Sequence, residues 1–208
     1  MKKLFVFLLI AALLLSGCAA DPEAAKSSSV YLTSMDTVMQ LTAYGRGRDE
    51  ALAKAQAEIE RLDALLSTGS EDSEISQLNG QGSLALSQDT GELLQAALTL
   101  SQDTEGLFDI TVYPVVKLWG FYDKAYHVPT DSELASAMAL VDFQQVSYDA
   151  ETRTATLGQG QSIDLGGIGK GFTSQRVTDI LKAAGIRSAM VSLGGNVQCL
   201  GTKPDGTA

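Results

Sequence analysis

One histidine and two cysteines in 208 residues leave little with which to ligate a transition metal or build a redox pair. No CxxC, no HExxH and no cluster of cysteine with histidine occurs, which excludes structural zinc and the usual zinc hydrolases. The single histidine, His127, stands in a polar stretch and reads as a loop residue. Positive charge is scarce as well: 15 Lys and Arg face 25 Asp and Glu, for a net charge of −10. Nucleic acid is thereby excluded as a partner, because neutralising phosphates takes clustered Lys and Arg. The longest apolar run, Leu4 to Leu15, is too short to span a bilayer comfortably.

That run follows two lysines and leads through small residues to Cys18, which is the pattern of a secretory signal. The ending "LSGC", Leu15 to Cys18, resembles the lipobox at which bacterial lipoproteins are cleaved and lipidated on the cysteine. The expectation is a signal peptide over residues 1–17, a small, polar tether over 18–28 and a domain from 29 to 208, anchored through Cys18 to the extracytoplasmic face of a membrane. Removing residues 1–17 takes away two lysines and no acid, moving the net charge from −10 to −12. Cys199, left without a disulfide partner, is expected to be a small buried residue of a strand.

From Ser29 the texture becomes that of a folded domain. "SVYLTSMDTVMQLTAYG" is rich in β-branched and aromatic residues and predicts two strands, or one bent strand, broken near Met35 to Thr37. "RDEALAKAQAEIERLDALLS" spaces Leu52, Ala55, Ile59, Leu62 and Leu66 by three and four, a helix with one buried stripe. A second helix is expected from about Thr90 to Ser101, with Asp89 and Glu92 at capping-box spacing, and a third after Thr130 with Glu133 three residues on. A fourth follows the glycine run, with Phe172, Val177, Ile180, Leu181 and Ala184 on its packed face and Gly185 as its stop. "RSAMVSLGG" and "NVQCLGTK" predict two strands joined through Gly194 and Gly195. The "PDG" turn at Pro204 to Gly206 calls for a return strand, so the domain is expected to be incomplete at its C-terminus.

The glycine run itself, "IDLGGIGKGF" from Ile163 to Phe172, is neither of the common phosphate loops. The P-loop pattern fails because Asp164 stands five before Gly169 and Gly171 follows Lys170. The dinucleotide fingerprint fails because Phe172 stands where its last glycine belongs. Glycines opening a helix still let backbone approach a ligand and aim N–H groups at an anion. Spacing leaves this open beside a simple turn packed tightly by its glycines.

Read together and in order, "SMDTVMQLTAYG", "EDSEISQLN", "GLFDITVYPVVKLWGF", "IDLGGIGKGF" and "VSLGGNV" resemble the FAD:protein FMN transferases of the ApbE type, long called thiamine biosynthesis lipoproteins. The resemblance runs from about Tyr31 to the end. It implies an α+β fold of mixed sheets flanked by helices, and a Mg²⁺-dependent transfer of FMN from FAD to a threonine or serine hydroxyl of an exported acceptor flavoprotein, a redox-complex subunit, with release of AMP. It also implies FAD contacts at Met35, Leu107, Phe108, Asp109, Asp164 and Lys170, and a magnesium ligand in the backbone carbonyl of Gly167.

The same residues have plainer readings: Met35 and Phe108 as core, Asp109 as the cap of a turn before a strand "ITVYPVV", and Asp164 as a stabiliser of the glycine turn. Two positions depart from the family pattern: Asp36 replaces a glycine, and Gly69 stands where an aromatic residue is common. Aspartate tolerates positive φ better than most residues. The two departures keep a non-catalytic flavin-binding lipoprotein in view, and a Mg²⁺-dependent FAD pyrophosphatase stands as a further alternative because the residues shared by both reactions do not separate it from the transferase.

Overall fold

The structure, a computed structural model, describes residues 23–122 and 124–206. The expected signal peptide and the lipidation site at Cys18 lie outside the described residues. Two strands open the fold, β1 (Ser27–Ser34) and β2 (Thr37–Tyr44), paired antiparallel from Ser27↔Tyr44 to Ser34↔Thr37. The break falls where expected, because Met35 and Asp36 both take positive φ, 49° and 56°. That is the turn whose twist matches two paired strands, and aspartate supplies one of its left-handed positions without a glycine.

Helix α1 (Arg48–Leu66) buries the expected stripe of Leu52, Ala55, Ile59, Leu62 and Leu66. Then come α2 (Glu74–Gln81), β3 (Ser83–Ala85) and α3 (Gln88–Asp103). The cap of α3 is Ser87 rather than an Asp89–Glu92 box: its hydroxyl accepts from the Thr90 N–H and is itself held by Glu74. "ITVYPVV" is helical, not a strand. A 3₁₀ turn, Ile110–Val112, runs into α4 (Tyr113–Leu118), because the Asp109 side chain takes the Thr111 N–H and Pro114 sits in the first helical turn, where no N–H is missed.

Helix α5 (Asp131–Met138), a second 3₁₀ turn (Phe143–Gln145), β4 (Ser147–Asp149) and β5 (Thr154–Thr156) lead to α6 (Gly166–Ala183), β6 (Ala189–Leu193) and β7 (Asn196–Leu200). The strands form two sheets, β1-β2-β6-β7 and β3-β5-β4. The α+β class is as expected, while every described pairing is antiparallel where mixed sheets were expected.

Met39, Leu41 and Ala43 of β2 point inward, alternating with Val38, Gln40 and Thr42, and pack with α1 and α6 into one core. A second core, holding Leu62, Leu78, Leu93, Ile110, Ile163 and Leu165, fills the space among α1, α2, α3 and the small sheet. Met35 touches both. The packed face of α6 is Thr173, Ser174, Val177, Thr178 and Leu181, so Ala184 is exposed and Ile180 only half-buried. Cys199 is in a strand as expected but exposed, because β7 is an edge strand and its Met190↔Cys199 row lies on the outer side of the sheet. Among the described residues no helix is long and apolar enough to cross a membrane.

The capping box of α5 is formed in full, with the Thr130 N–H and hydroxyl donating to Glu133 at 2.8 and 2.7 Å. The Thr130 backbone bond, then its hydroxyl, hold the Glu133 carboxyl below its ordinary 4.5. A depressed carboxyl stabilises the fold above its unfolded value and loses that contribution as pH falls through the lower folded one. An NMR titration of Glu133 should therefore give a midpoint below 4.5, moving up toward 4.5 in Thr130→Val; a wild-type midpoint at 4.5 would mean the box does not form in solution.

Candidate functional site

The glycine run opens α6, and three separate pieces of chain are fastened around that opening. The Asp164 N–H donates to the Ile110 carbonyl at 2.9 Å, joining the run to the "GLFDI" segment. Its carboxylate accepts from the Gly166 N–H at 2.7 Å, a local turn across Leu165 that leads into the helix. The ring of Phe108 lies over Gly167, where an added Cβ would come within 3.0 Å of the ring edge. Glycine is needed there for the close approach. Met35 arrives from the β1–β2 turn, its sulfur 3.8 Å from the Thr173 hydroxyl one turn beyond Lys170.

Two acids position these pieces. Asp63 of α1 accepts from the Met35 N–H at 3.0 Å and the Ser34 hydroxyl at 2.7 Å, which stabilises a methionine at positive φ. Asp109 accepts from the Thr111 N–H and hydroxyl at 2.8 and 2.6 Å and from the Phe143 N–H at 3.0 Å. Both oxygens of Asp109 are thus committed to the fold, as in the plainer reading of it as a cap.

Asn79 is the position that sequence reasoning missed. Its amide nitrogen donates to the Ile163 carbonyl at 2.9 Å and its oxygen accepts the Ile163 N–H at 2.7 Å, across 84 residues of chain. An asparagine in "SQLNG" after Ile75 and Leu78 was the available signal, an amide closing an otherwise amphipathic turn.

Of the seven positions, Met35, Phe108, Asp164, Gly167 and Lys170 gather at the start of α6, while Leu107 is 95% exposed and Asp109 is used as a cap. Lys170 is half-buried and, among the described residues, makes no hydrogen bond or ion pair. It lies one turn along from Gly166 and Gly167, on the side where the helix N–H groups begin. A free cation beside a helix N-terminus suits an anion. A cation such as Mg²⁺ fits less completely: the described residues hold no group of three or more acids, cysteines or histidines, so the Gly167 carbonyl and Asp164 would leave most of its oxygens to phosphate and water.

Next to this cluster, beginning at Ser162, is a polar cleft of about 590 Å³ whose wall includes Tyr113, Lys117 and Tyr122. The Tyr113 hydroxyl donates to the Thr68 carbonyl at 3.4 Å. Burial pushes the Tyr113 phenol up from its ordinary value against that hydrogen bond, and the charges of Tyr122 and Asp164 add to the rise. A second, shallower cleft of about 630 Å³ lies between α4 and α5. None of the seven positions lines either cleft.

Asn79→Ala should cost about 2–4 kcal/mol, because it leaves the N–H and carbonyl of fully buried Ile163 unpaired. Urea unfolding measures this, and a loss under about 0.5 kcal/mol, the scale of an ordinary surface change, would show that the clamp is not needed.

The ApbE family model matches residues 35–208. The FAD:protein FMN transferase of Klebsiella pneumoniae strain 342 is 33% identical over 158 residues, which cover 74% of this chain and 50% of that protein. The FAD:protein FMN transferase of Vibrio cholerae is 32% identical over 203 residues, 93% of this chain and 60% of the relative. A point mutant of the flavin transferase ApbE from Vibrio cholerae superposes with a TM-score of 0.81 at 28% identity, over 88% of this chain and 65% of that one. The chain thus spans about half to two thirds of the length of these relatives. With its family segments fastened around one helix start and the match running from Met35 onward, the chain belongs to the ApbE family.

Proposed function

We propose that this chain is the FAD-binding part of an enzyme that transfers FMN from FAD to a threonine or serine hydroxyl of an exported flavoprotein, releasing AMP. The observation that carries the reading is Lys170, without an ion-pair partner among the described residues, one turn into a helix whose opening residues are met by Met35 at Thr173, Phe108 at Gly167 and Asp164 at Gly166. Lys170 would hold the pyrophosphate, and the apolar surfaces of Met35 and Phe108 would bear on the ring system. In the reaction the acceptor oxygen bonds to the phosphorus on the FMN side, the bond to the AMP phosphate breaks, and the hydroxyl proton leaves to solvent or base.

Such transfer depends on offsetting charge as the leaving phosphate departs. Lys170 supplies a positive charge for that purpose, and Asp164 holds the first turn of α6 through the Gly166 N–H. Mg²⁺, when bound, would supply further charge stabilisation, with the Gly167 carbonyl among its ligands. The same proposal puts the protein on the extracytoplasmic face of a bacterial membrane, lipidated at Cys18, facing acceptors of membrane redox complexes.

The test is to mix the full-length protein without its signal with FAD, Mg²⁺ and an acceptor domain bearing a threonine flavinylation motif, and to take the acceptor's intact mass. The expected result is a gain of one FMN moiety, abolished by EDTA and slowed about 10- to 100-fold by Lys170→Ala, the loss of one charged hydrogen bond. Free FMN and AMP with an unmodified acceptor would replace the transferase by a pyrophosphatase. Intact bound FAD would replace both by a flavin-binding lipoprotein.

A further inference from the structure

The start of α6 and the Met35 turn occupy one end of the large sheet, and the chain enters the fold at the other. β1 begins at Ser27, paired with Tyr44, and its 8 residues reach the Met35 turn about 26 Å away at the usual strand rise. At the entry end the Gly45 N–H donates to the Lys26 carbonyl and the Tyr44 N–H to the Ser188 carbonyl, both at 3.0 Å, while Gly201 lies against the Arg187 carbonyl, where a Cβ would clash. These contacts gather Lys26, Arg46, Arg187 and Lys203, with Arg48 opening α1 and Lys182 in the last turn of α6 beside them. The acids of the same end are Glu23, Asp49, Glu50, Asp179 and Asp205. Glu23 is shared by Lys26 and Arg48, Glu50 pairs with Lys54, and Asp179 pairs with Lys182. The entry end thus carries a small positive excess, whereas residues 56–178 hold 6 Lys and Arg against 18 Asp and Glu. The domain is a charge dipole, positive where the chain enters and negative along its body.

We propose that the entry end is a surface for anionic lipid headgroups, and that it stands the domain upright with the start of α6 turned away from the bilayer. This rests on the reading of Cys18 as the lipidated anchor. Five peptide steps separate Cys18 from Glu23, a reach of ~18 Å at most, so an anchor at Cys18 keeps the entry end near the headgroups. The field of an anionic leaflet falls off within a Debye length, ~8 Å at physiological salt. Lys26, Arg46, Arg187 and Lys203 are all exposed and come within that distance when the entry end points down. In that orientation the acids of the body are screened from the leaflet. Tipping the domain onto its side brings those acids into the field and lifts the cations out of it, so charge selects the upright orientation among those that the tether allows. The site is then presented to acceptors about 26 Å above the base, one strand length away.

The experiment couples the full-length protein without its signal, carrying Cys199→Ser because Cys199 is exposed, through the Cys18 thiol to maleimide lipid in vesicles of phosphatidylcholine alone or mixed with phosphatidylglycerol. Modification of each lysine by a water-soluble acetylating reagent is followed by mass spectrometry. The expected result is that anionic vesicles slow the modification of Lys26 and Lys203 about fivefold relative to neutral ones, the ratio supplied by one cation at such a surface. Lys117 is the control: its helix is tied through Tyr113 to Thr68 beyond the far end of α1, and its rate should not change. Salt at about 1 M should remove the difference, and so should Arg46→Glu combined with Arg187→Glu. Both arginines are exposed, so the unfolding midpoint, measured alongside, should be kept. Equal rates for Lys26 and Lys203 on the two kinds of vesicle, slowing of Lys117 on the anionic ones, or a difference that survives the double charge reversal overturns the surface. The anchor is checked separately by the intact mass of the protein isolated from bacterial membranes, where a Cys18 without lipid would overturn the anchoring proposed above, and the orientation with it.

Discussion

The two-pronged hold of Asn79 on Ile163 is the constraint on which the rest of the site depends. Ile163 is fully buried in the second core, and its backbone groups have no strand to pair with, so an amide side chain takes the place of a neighbouring strand. With Ile163 fixed, Asp164 is placed to donate to Ile110 and to accept the N–H of Gly166, the first residue of α6. Gly167 and Lys170, which belong to the proposed site, take their positions from that starting point.

A second chain of dependence runs through the acids. Asp63, Asp109 and Asp164 each spend carboxylate oxygens on backbone N–H groups of turns, so acidic side chains close to the site are largely satisfied by the protein itself. Among the described residues no acid forms an ion pair with Lys170.

Much of this could be read from the sequence where the signal was local. The stripe of α1, the Thr130–Glu133 box, the turn at Met35 and Asp36 and the Gly194–Gly195 hairpin each depend on residues within a few positions of one another. The three-residue strands of the small sheet are too short to show alternation, and "ITVYPVV" has β-branched residues that point toward a strand. There the Asp109 side chain overrides propensity by winding a 3₁₀ turn. The candidate site positions were named only through family resemblance, since what gathers those that come together are side-chain bonds such as Asn79 to Ile163 that leave no periodic trace. Cys199 was misread because burial in a strand depends on which face the sheet covers, and spacing does not give that.

Met35 sits between the two cores and packs against each, its backbone held in a left-handed turn by a carboxylate from α1. Pressure on this one side chain is therefore felt in both halves of the hydrophobic interior. Under the proposed function, binding and folding are linked at this side chain: a ligand resting on Met35 would add to the stability of both cores, and loosening either core would weaken its hold.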